Sequence, residues 1–331
     1  MRVMTGTVKP SYKMSPKSKA WPPFGVVLFL LYAWICVGRP QEIVPQLMVL
    51  RLGLLTGGLA LLAWLHAPGR FAEKISLDTP RVRDVMILIG LAVITVPVSI
   101  WPAHSILFLF NVFLKTVLLF FLVIYWCRTV HDVRRLLWVY CLGTVCLVIP
   151  GVLSGPLGKD RYALESLSYD SNDIALLQVM ALPLIVYLYS TSGRRAKVLS
   201  AGMALLCLYG IVLTQSRGGF LALVVVGGLI IWRSSMSKSA KWSMVAVGVV
   251  VFGILAGTAW KERIRTMWDP QTEYDQTAGG RTDLWKSSLV LLAKRPWGVG
   301  IDNFVTAEGL SHGGFGKWSA PHNSFFQIGV E

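Results

Sequence analysis

The sequence predicts an all-α fold: a polytopic membrane helical bundle of about nine to ten spanning helices, with one long exported loop that contains an amphipathic helix. Hydrophobic residues make up 54% of the 331 positions and charged residues only 15%. This composition is typical of helices that span a bilayer and exceeds what a water-soluble core needs. The apolar residues also fall into separate runs, and short basic segments lie between them.

Nine apolar runs are long enough, or nearly long enough, to cross a bilayer. They are 23–38, 44–65, 85–100, 106–126, 136–153, 173–190, 198–213, 218–232 and 243–260. A spanning helix needs roughly 20 residues, so the shorter runs predict helices that extend beyond the run or tilt. Pro97 and Pro183 lie inside runs, and each is expected to free a backbone carbonyl for another partner.

The positions of Lys and Arg predict the orientation of the bundle. Eighteen of them lie in the N-terminal tail and in the loops on the same side, whereas the short loops on the other side hold four. The positive-inside rule therefore places the N-terminus in the cytoplasm and the turn at 215–217 outside. The net charge of +15 is spread over these clusters, which indicates membrane topology and no nucleic-acid partner.

Four segments follow from this topology. Residues 1–22 form a basic cytoplasmic tail, 23–260 the transmembrane bundle, 261–321 a periplasmic loop module, and 322–331 the start of a further membrane helix. Within the module, 281–294 is predicted to be an amphipathic helix, because Gly279 and Gly280 precede it and Pro296 stops it. Its expected apolar face consists of Leu284, Trp285, Ser288, Leu289, Leu291 and Leu292.

An arginine between two apolar runs is the first candidate for chemistry. Residues 214–219 read Thr-Gln-Ser-Arg-Gly-Gly, without an acidic neighbour in the sequence. Arg217 at the bilayer surface costs desolvation energy unless an anion meets it. Gly218 and Gly219 would let a phosphate approach the backbone amides that start the next helix. The alternative is that Arg217 only anchors the helix end by snorkelling.

Two further residues are candidates for the same site. Arg281 lies at the N-terminal end of the amphipathic helix, where free amides and the helix dipole favour an anion. A surface ion pair with Asp283 or another acid is the alternative. His322, followed by Asn323, stands where the chain returns to an apolar run, and it could take a proton from a sugar hydroxyl. A solvated loop histidine is the alternative there.

The loop 159–173 is polar and lies on the exported side. Arg161 is in its first part, and Asp170, Asn172 and Asp173 end it. The last three could bind a sugar or a divalent metal, or could cap the next helix. A D-x-D motif is absent and the five cysteines lack metal-ligand spacing, so the sequence predicts neither a required metal nor another cofactor.

Lys115 lies near the middle of the fourth apolar run. A charge at that depth costs roughly 2.5–3.5 kcal/mol on insertion scales. It is therefore expected to face the bundle interior and to pair, and its role stays open. Arg51, near the outer end of the second run, is expected to snorkel outward.

These motifs together resemble the O-antigen ligase and polymerase superfamily. The segment 213–223 is similar to its T-x-S-R-G signature, and 170–173 to its D-x-N-D loop. Gly280-Arg281 with Trp285, the run 296–300 and His322-Asn323 follow in the family's order. The resemblance implies a multi-pass glycosyltransferase of the bacterial inner membrane, with its active site on the periplasmic face. It would use an undecaprenyl-diphosphate-linked glycan as donor and no cofactor.

The resemblance also implies roles for the residues that match. Arg217 and Arg281 would bind and stabilise the diphosphate leaving group, and His322 would activate the hydroxyl of a glycan, lipid or protein acceptor. The other expected substrate-binding residues are Ser216, Gly218, Arg161, Asp170, Asn172, Asp173, Asn323 and Trp285. The family continues through further helices after its His-Asn motif, whereas this sequence stops at Glu331. The chain is therefore expected to be C-terminally truncated.

Two other functions remain open at this point. A transporter for a small anion such as bicarbonate would place a midplane site around Lys115, although it would have no obvious use for the exported module. A non-catalytic partner of a polysaccharide-export complex would bind the lipid-linked glycan without turnover. The sequence does not separate a ligase from a polymerase, because the two use the same donor and differ in the acceptor.

Overall fold

The fold is built from helices. The structure, a computed structural model, describes residues 24–66, 78–153, 169–265, 281–311, 313, 316 and 318–331, and these ranges contain no strand. The predicted all-α class is therefore confirmed. The basic tail at 1–22 lies outside the described residues.

The described ranges contain fifteen α-helices, numbered in chain order. They are α1 (Phe24–Gly38), α2 (Pro40–Ile43), α3 (Leu52–Leu65), α4 (Pro80–Thr95), α5 (Pro102–Phe108), α6 (Leu114–Trp126), α7 (Val130–Cys146), α8 (Ile149–Leu153), α9 (Ser171–Thr191), α10 (Arg194–Thr214), α11 (Arg217–Arg233), α12 (Lys238–Arg265), α13 (Arg281–Lys294), α14 (Phe304–Ser311) and α15 (Ser324–Val330). A 3₁₀ helix, Pro45–Leu50, precedes α3, and a π-helical turn, Leu109–Phe113, joins α5 to α6.

Five helical segments in the described residues are long and apolar enough to cross a membrane. They are Pro45–Leu65, Pro102–Trp126, Val130–Val152, Ser171–Thr191 and Arg194–Thr214. Helix α1 is apolar but shorter. Many large apolar side chains on these helices are exposed, for example Leu205 at 68%. Such a surface is expected where lipid replaces water. The total of nine to ten spans stays a prediction.

The third apolar run shows where the sequence prediction was wrong. The apolar run spans 85–100, whereas α4 begins at Pro80 and ends at Thr95. Pro80 suits the first helical position because its missing N–H would have no partner there. Pro97 lies in the turn after the helix and not inside it. Pro183 does lie within α9, as expected.

Helix α9 lies at the centre of the bundle and packs against α7, α10 and α11. Apolar side chains fill the space between α7, α9 and α10, including Cys141, Leu182, Ile185 and Cys207. A second core surrounds the fully buried Tyr32 of α1, which packs among α3 and α6. The first core therefore packs α7, α9 and α10 together, and the second packs α1, α3 and α6 together.

The segment from α13 to α15 forms a small module with its own core. That core contains Leu284, Leu291, Val299, Phe304, Ala307 and Val330. The amphipathic helix is present with its predicted bounds, Arg281–Lys294. The prediction that all of its apolar face is buried is wrong, because Leu289 is 56% exposed and Leu292 is 38% exposed. The buried stripe of the helix is therefore narrower than the apolar pattern predicts.

The module is fastened to the loop between α4 and α5. The backbone N–H of Ile100 donates to the carbonyl of Val299 at 2.9 Å. The amide of Asn303 donates to the hydroxyls of Ser99 at 2.8 Å and Ser105 at 2.6 Å, and all three side chains are buried. These long-range bonds join the module to the membrane helices.

The close contact between the module and Ser99 requires glycine at position 300. Its φ is +92°, and a Cβ at this position would overlap the side chain of Ser99. Gly300→Ala is therefore expected to destabilise the module by about 1–3 kcal/mol more than Gly313→Ala. Gly313 also has a positive φ, +66°, but open space around it. Thermal unfolding of the two purified variants measures the difference, and equal melting temperatures would contradict the close contact.

Candidate functional site

The turn between α10 and α11 places Arg217 at a helix start. Gln215 adopts the left-handed conformation with φ 47° and ends α10. Ser216 is completely buried, and its hydroxyl accepts a hydrogen bond from the N–H of Gly219 at 3.1 Å. Ser216 is thus the N-cap of α11, and the half-buried Arg217 is the first residue of that helix.

The polar run 170–173 begins helix α9. The carboxylate of Asp170 accepts from the N–H groups of Asn172 and Asp173 at 2.7 and 2.8 Å. The carboxylate of Asp173 accepts from the N–H of Asp170 at 3.2 Å, which completes a capping box. These residues therefore do cap the helix, and a role for them in binding sugar stays a prediction. In the described part of the chain, no cluster of three or more His, Cys, Asp or Glu side chains could hold a metal.

One hydrogen bond joins these two helix starts. The hydroxyl of Ser216 donates to the side-chain oxygen of Asn172 at 2.7 Å. The helices also approach closely, because a Cβ on Gly219 would overlap the Cβ of Ala175. Two long helices thus begin side by side at one end of the bundle, which we call the site end. Their dipoles both place partial positive charge there, where an anion is stabilised.

His322 reaches the same end from the module. It lies in the turn before α15, with φ 49° and an exposed side chain. It lies near enough to Asp173, in the first turn of α9, for the charged forms of the two side chains to interact. Asn323 caps α15 by accepting from the N–H of Phe325 at 3.0 Å. Asn323 therefore has a structural role, and its predicted role in substrate binding stays a prediction.

Trp285 ties α13 to the histidine segment. Its indole N–H donates to the carbonyl of Pro321 at 3.0 Å, and its ring stacks on Phe326 with centroids 5.7 Å apart. Arg281 is the first residue of α13 and stands about 6 Å along the axis from Trp285, since each residue rises about 1.5 Å. Arg281 therefore lies about one helical turn along α13 from the residue that contacts the segment of His322. A joint grip of Arg217 and Arg281 on one diphosphate stays a prediction.

Gly218 and Arg161 are the two remaining predicted residues, and the structure describes only Gly218. Gly218 is exposed, and a Cβ at this position would have the hydroxyl of Ser216 as its nearest neighbour, at 4.0 Å. The backbone beside Arg217 is therefore open to a ligand. Arg161 lies outside the described residues, and its role stays a prediction.

Arg39 and Tyr169 also belong to this region, through a contact that the sequence does not predict. The guanidinium of Arg39 lies 4.5 Å from the ring centroid of Tyr169, the residue before Asp170. It also bonds Glu42 at 2.8 Å. Burial by itself lowers the pKa of Arg39, but the interactions with Glu42 and Tyr169 outweigh burial and raise it. The signal available in the sequence was the Arg39-Pro40 pair directly after the first apolar run, followed by Glu42 at i+3.

Ser216 offers a test of how the site is held. Ser216→Ala removes both the cap of α11 and the bond to Asn172, so unfolding is expected to become easier by about 1–2 kcal/mol. Ser200→Ala is the matched control. That serine is also fully buried, but its hydroxyl bonds the carbonyl of Ala196 within its own helix, at 2.8 Å. Melting temperatures in detergent measure the difference, and equal stability of the two variants would contradict the cap.

The C-terminal part of the chain is similar to a known family. The family model described as O-antigen ligase matches residues 202–331, a range that contains Arg217, Arg281 and His322. No curated protein and no solved structure gives a significant match to the chain. The resemblance seen in the sequence motifs is therefore confirmed.

Proposed function

Because residues 202–331 match the O-antigen ligase family, we propose that this membrane protein transfers a glycan from an undecaprenyl-diphosphate carrier to an acceptor hydroxyl. The observation that supports this most is the hydrogen bond between Ser216 and Asn172. It sets two helix N-termini side by side, with Arg217 on one and an acidic residue close to His322 on the other. The site would then hold groups for both halves of a glycosyl transfer.

The first half is stabilisation of the leaving group. As the bond between the anomeric carbon and the diphosphate oxygen breaks, the electron pair and the negative charge stay on the diphosphate. Arg217 suits that charge because its planar guanidinium makes two hydrogen bonds and stays protonated. The positive end of the α11 dipole adds to this, and the open backbone at Gly218 gives access. In the proposal, Arg281 supplies the second cation.

The second half is activation of the acceptor. The acceptor oxygen attacks the anomeric carbon, and its proton passes to the imidazole of His322. Asp173 then stabilises the imidazolium, since the two charges interact. Ser216, Asn172 and Asp170 hold this arrangement through their cap bonds, and Trp285 holds the histidine segment through Pro321.

The proposal also includes an orientation of the helical bundle in the membrane. The Lys and Arg distribution favours the periplasmic face of the bacterial inner membrane for the site end, with the N-terminus in the cytoplasm. The donor would enter laterally, so that its lipid stays in the bilayer while its diphosphate meets the surface arginines. The acceptor is a glycan, a lipid or a protein.

The test is an assay in membranes that contain the protein. Vesicles are supplied with lipid-diphosphate-linked glycan from the same cells, and product is followed by gel shift together with released undecaprenyl diphosphate. A single added glycan would identify a ligase, and a ladder a polymerase. Bound donor without turnover would favour a non-catalytic export partner. Flux of bicarbonate that depends on the protein, without glycan product, would favour a transporter; either result contradicts the proposal.

A further inference from the structure

A second group of cations lies near the site end, apart from Arg217. It consists of Arg39, Arg51 and Lys115, which come from three different helical segments. The charge of Lys115 interacts with those of Arg39 and Arg51. No local pattern predicts this grouping, because apolar runs separate the three residues in the sequence.

Contacts between helices bring the group together. The hydroxyl of Tyr32 in α1 donates to the backbone carbonyl of Lys115 at 2.8 Å, which ties α6 to α1. Arg39 follows the last residue of α1, and Arg51 lies between the 3₁₀ helix and α3. Helix α3 packs against both α1 and α6.

The backbone is unusual at or beside all three cations. Arg39 and Arg51 have left-handed conformations with φ 42° and 43°, which are uncommon for residues other than glycine. Lys115 lies two residues after the end of the π-helical turn Leu109–Phe113. π-helical turns inside α-helices occur frequently at functional sites, and residues in such backbone conformations are retained where the local geometry is needed.

The charges in this group do not balance. Glu42 bonds Arg39 at 2.8 Å. Among the residues that the structure describes, neither Arg51 nor Lys115 forms an ion pair with a carboxylate. Lys115 is half-buried within an apolar span, where a cation without an anionic partner is costly. Three cations against one acid leave an excess of positive charge that an anion of one or two charges would neutralise.

We propose that Arg39, Arg51 and Lys115 bind the phosphate headgroup of a membrane lipid, at a site separate from Arg217. A free phosphate would offer the same chemistry, but the surroundings favour a lipid. Large apolar side chains near Arg51 are exposed on the 3₁₀ helix and on α3, namely Val49 at 86%, Leu50 at 54%, Leu54 at 45% and Leu55 at 52%. Acyl or prenyl chains can lie along this apolar surface while the phosphate meets the cations.

The site also has a physical link to the transfer site. Arg39 lies against the ring of Tyr169, and Tyr169 directly precedes the cap residue Asp170 of α9. A lipid phosphate on Arg39 would therefore lie one side chain away from the start of α9, where Asn172 accepts the hydrogen bond of Ser216. This arrangement suits a lipid that binds beside the donor or leaves after transfer, a use that rests on the proposed function, whereas the binding itself does not.

Binding is measured by native mass spectrometry on the purified protein in detergent. The probes are undecaprenyl phosphate, phosphatidylglycerol and inorganic pyrophosphate. The protein carries Arg217→Ala together with Arg281→Ala, so that both cations of the proposed diphosphate site are absent, and Lys115→Met or Arg51→Gln is added. Each added change is expected to weaken binding of the lipid phosphates about tenfold, as for the loss of one charge-assisted contact.

The control is Arg195→Gln, an exposed arginine in the first turn of α10, and it is expected to leave binding unchanged. Lys115→Arg is expected to restore binding, which separates lost charge from lost folding. Equal binding by all variants would overturn the proposal, as would equal losses with Arg195→Gln. Tight binding of inorganic pyrophosphate that Lys115→Met abolishes, without lipid binding, would overturn the assignment to a lipid. None of these results depends on glycan transfer.

Discussion

Replacement of Arg217 by alanine is expected to lower glycan transfer at least about 100-fold, with membrane insertion unchanged. The size follows from the loss of one preorganised group at a developing negative charge, which typically costs roughly 10²–10³ in rate. Arg217→Lys is expected to recover only part of the loss, because an ammonium lacks the planar fork. Arg281→Ala should behave like Arg217→Ala if both arginines bind one diphosphate.

Arg233→Ala is the control for this experiment. Arg233 is the last residue of α11, at the opposite end of the helix that Arg217 begins. Its substitution is expected to leave transfer within about twofold, as is usual for surface positions. Glycan transfer is quantified per unit of inserted protein in membrane vesicles. Unchanged transfer by Arg217→Ala would exclude a role for this arginine at the diphosphate.

Loss of the His322 imidazole is expected to lower glycan transfer at least as much as loss of the Arg217 guanidinium. His322→Ala should reduce transfer by about 10²–10⁴-fold, the usual contribution of a positioned general base. Asp173→Asn keeps an oxygen that can accept the cap bond of α9 but removes the charge beside His322. A smaller loss, on the order of tenfold, is expected for it, because it removes an interaction with the imidazolium and leaves the base in place.

His66→Ala provides the comparison. His66 is an exposed histidine after α3, and its ring bonds the carbonyl of Leu62 at 2.8 Å. Donor binding should persist in His322→Ala, since the arginines are intact. Released undecaprenyl diphosphate and glycan product are measured side by side, and full activity of His322→Ala would show that the acceptor loses its proton elsewhere.

Local signals were enough to predict several elements. Helix α13 was found with its bounds because two glycines, an acidic first turn and a following proline mark its ends. The turn at 215–217 was found because it interrupts apolar runs. The third run was misplaced because hydropathy alone does not show that α4 extends into the polar residues from Pro80 and ends before Pro97.

The contacts that form the site are long-range and have no local signal. Asn172 and Ser216 are 44 positions apart, and their bond depends on how α9 and α11 pack. The same holds for Arg39 on Tyr169 and for the charge of Lys115 near that of Arg51, which need several helices in place. The sequence therefore predicted several residues that carry charge at the site end, but not which of them touch.

The bond between Ser216 and Asn172 crosses the boundary of the matched family segment. Ser216 lies within 202–331, and Asn172 and Ala175 lie before it. A graft of the matched segment alone onto a foreign scaffold would leave the hydroxyl of Ser216 without its amide acceptor and Gly219 without its neighbour. Engineering that aims to exchange sugar or acceptor preference between relatives should therefore move α9 as part of the same cassette.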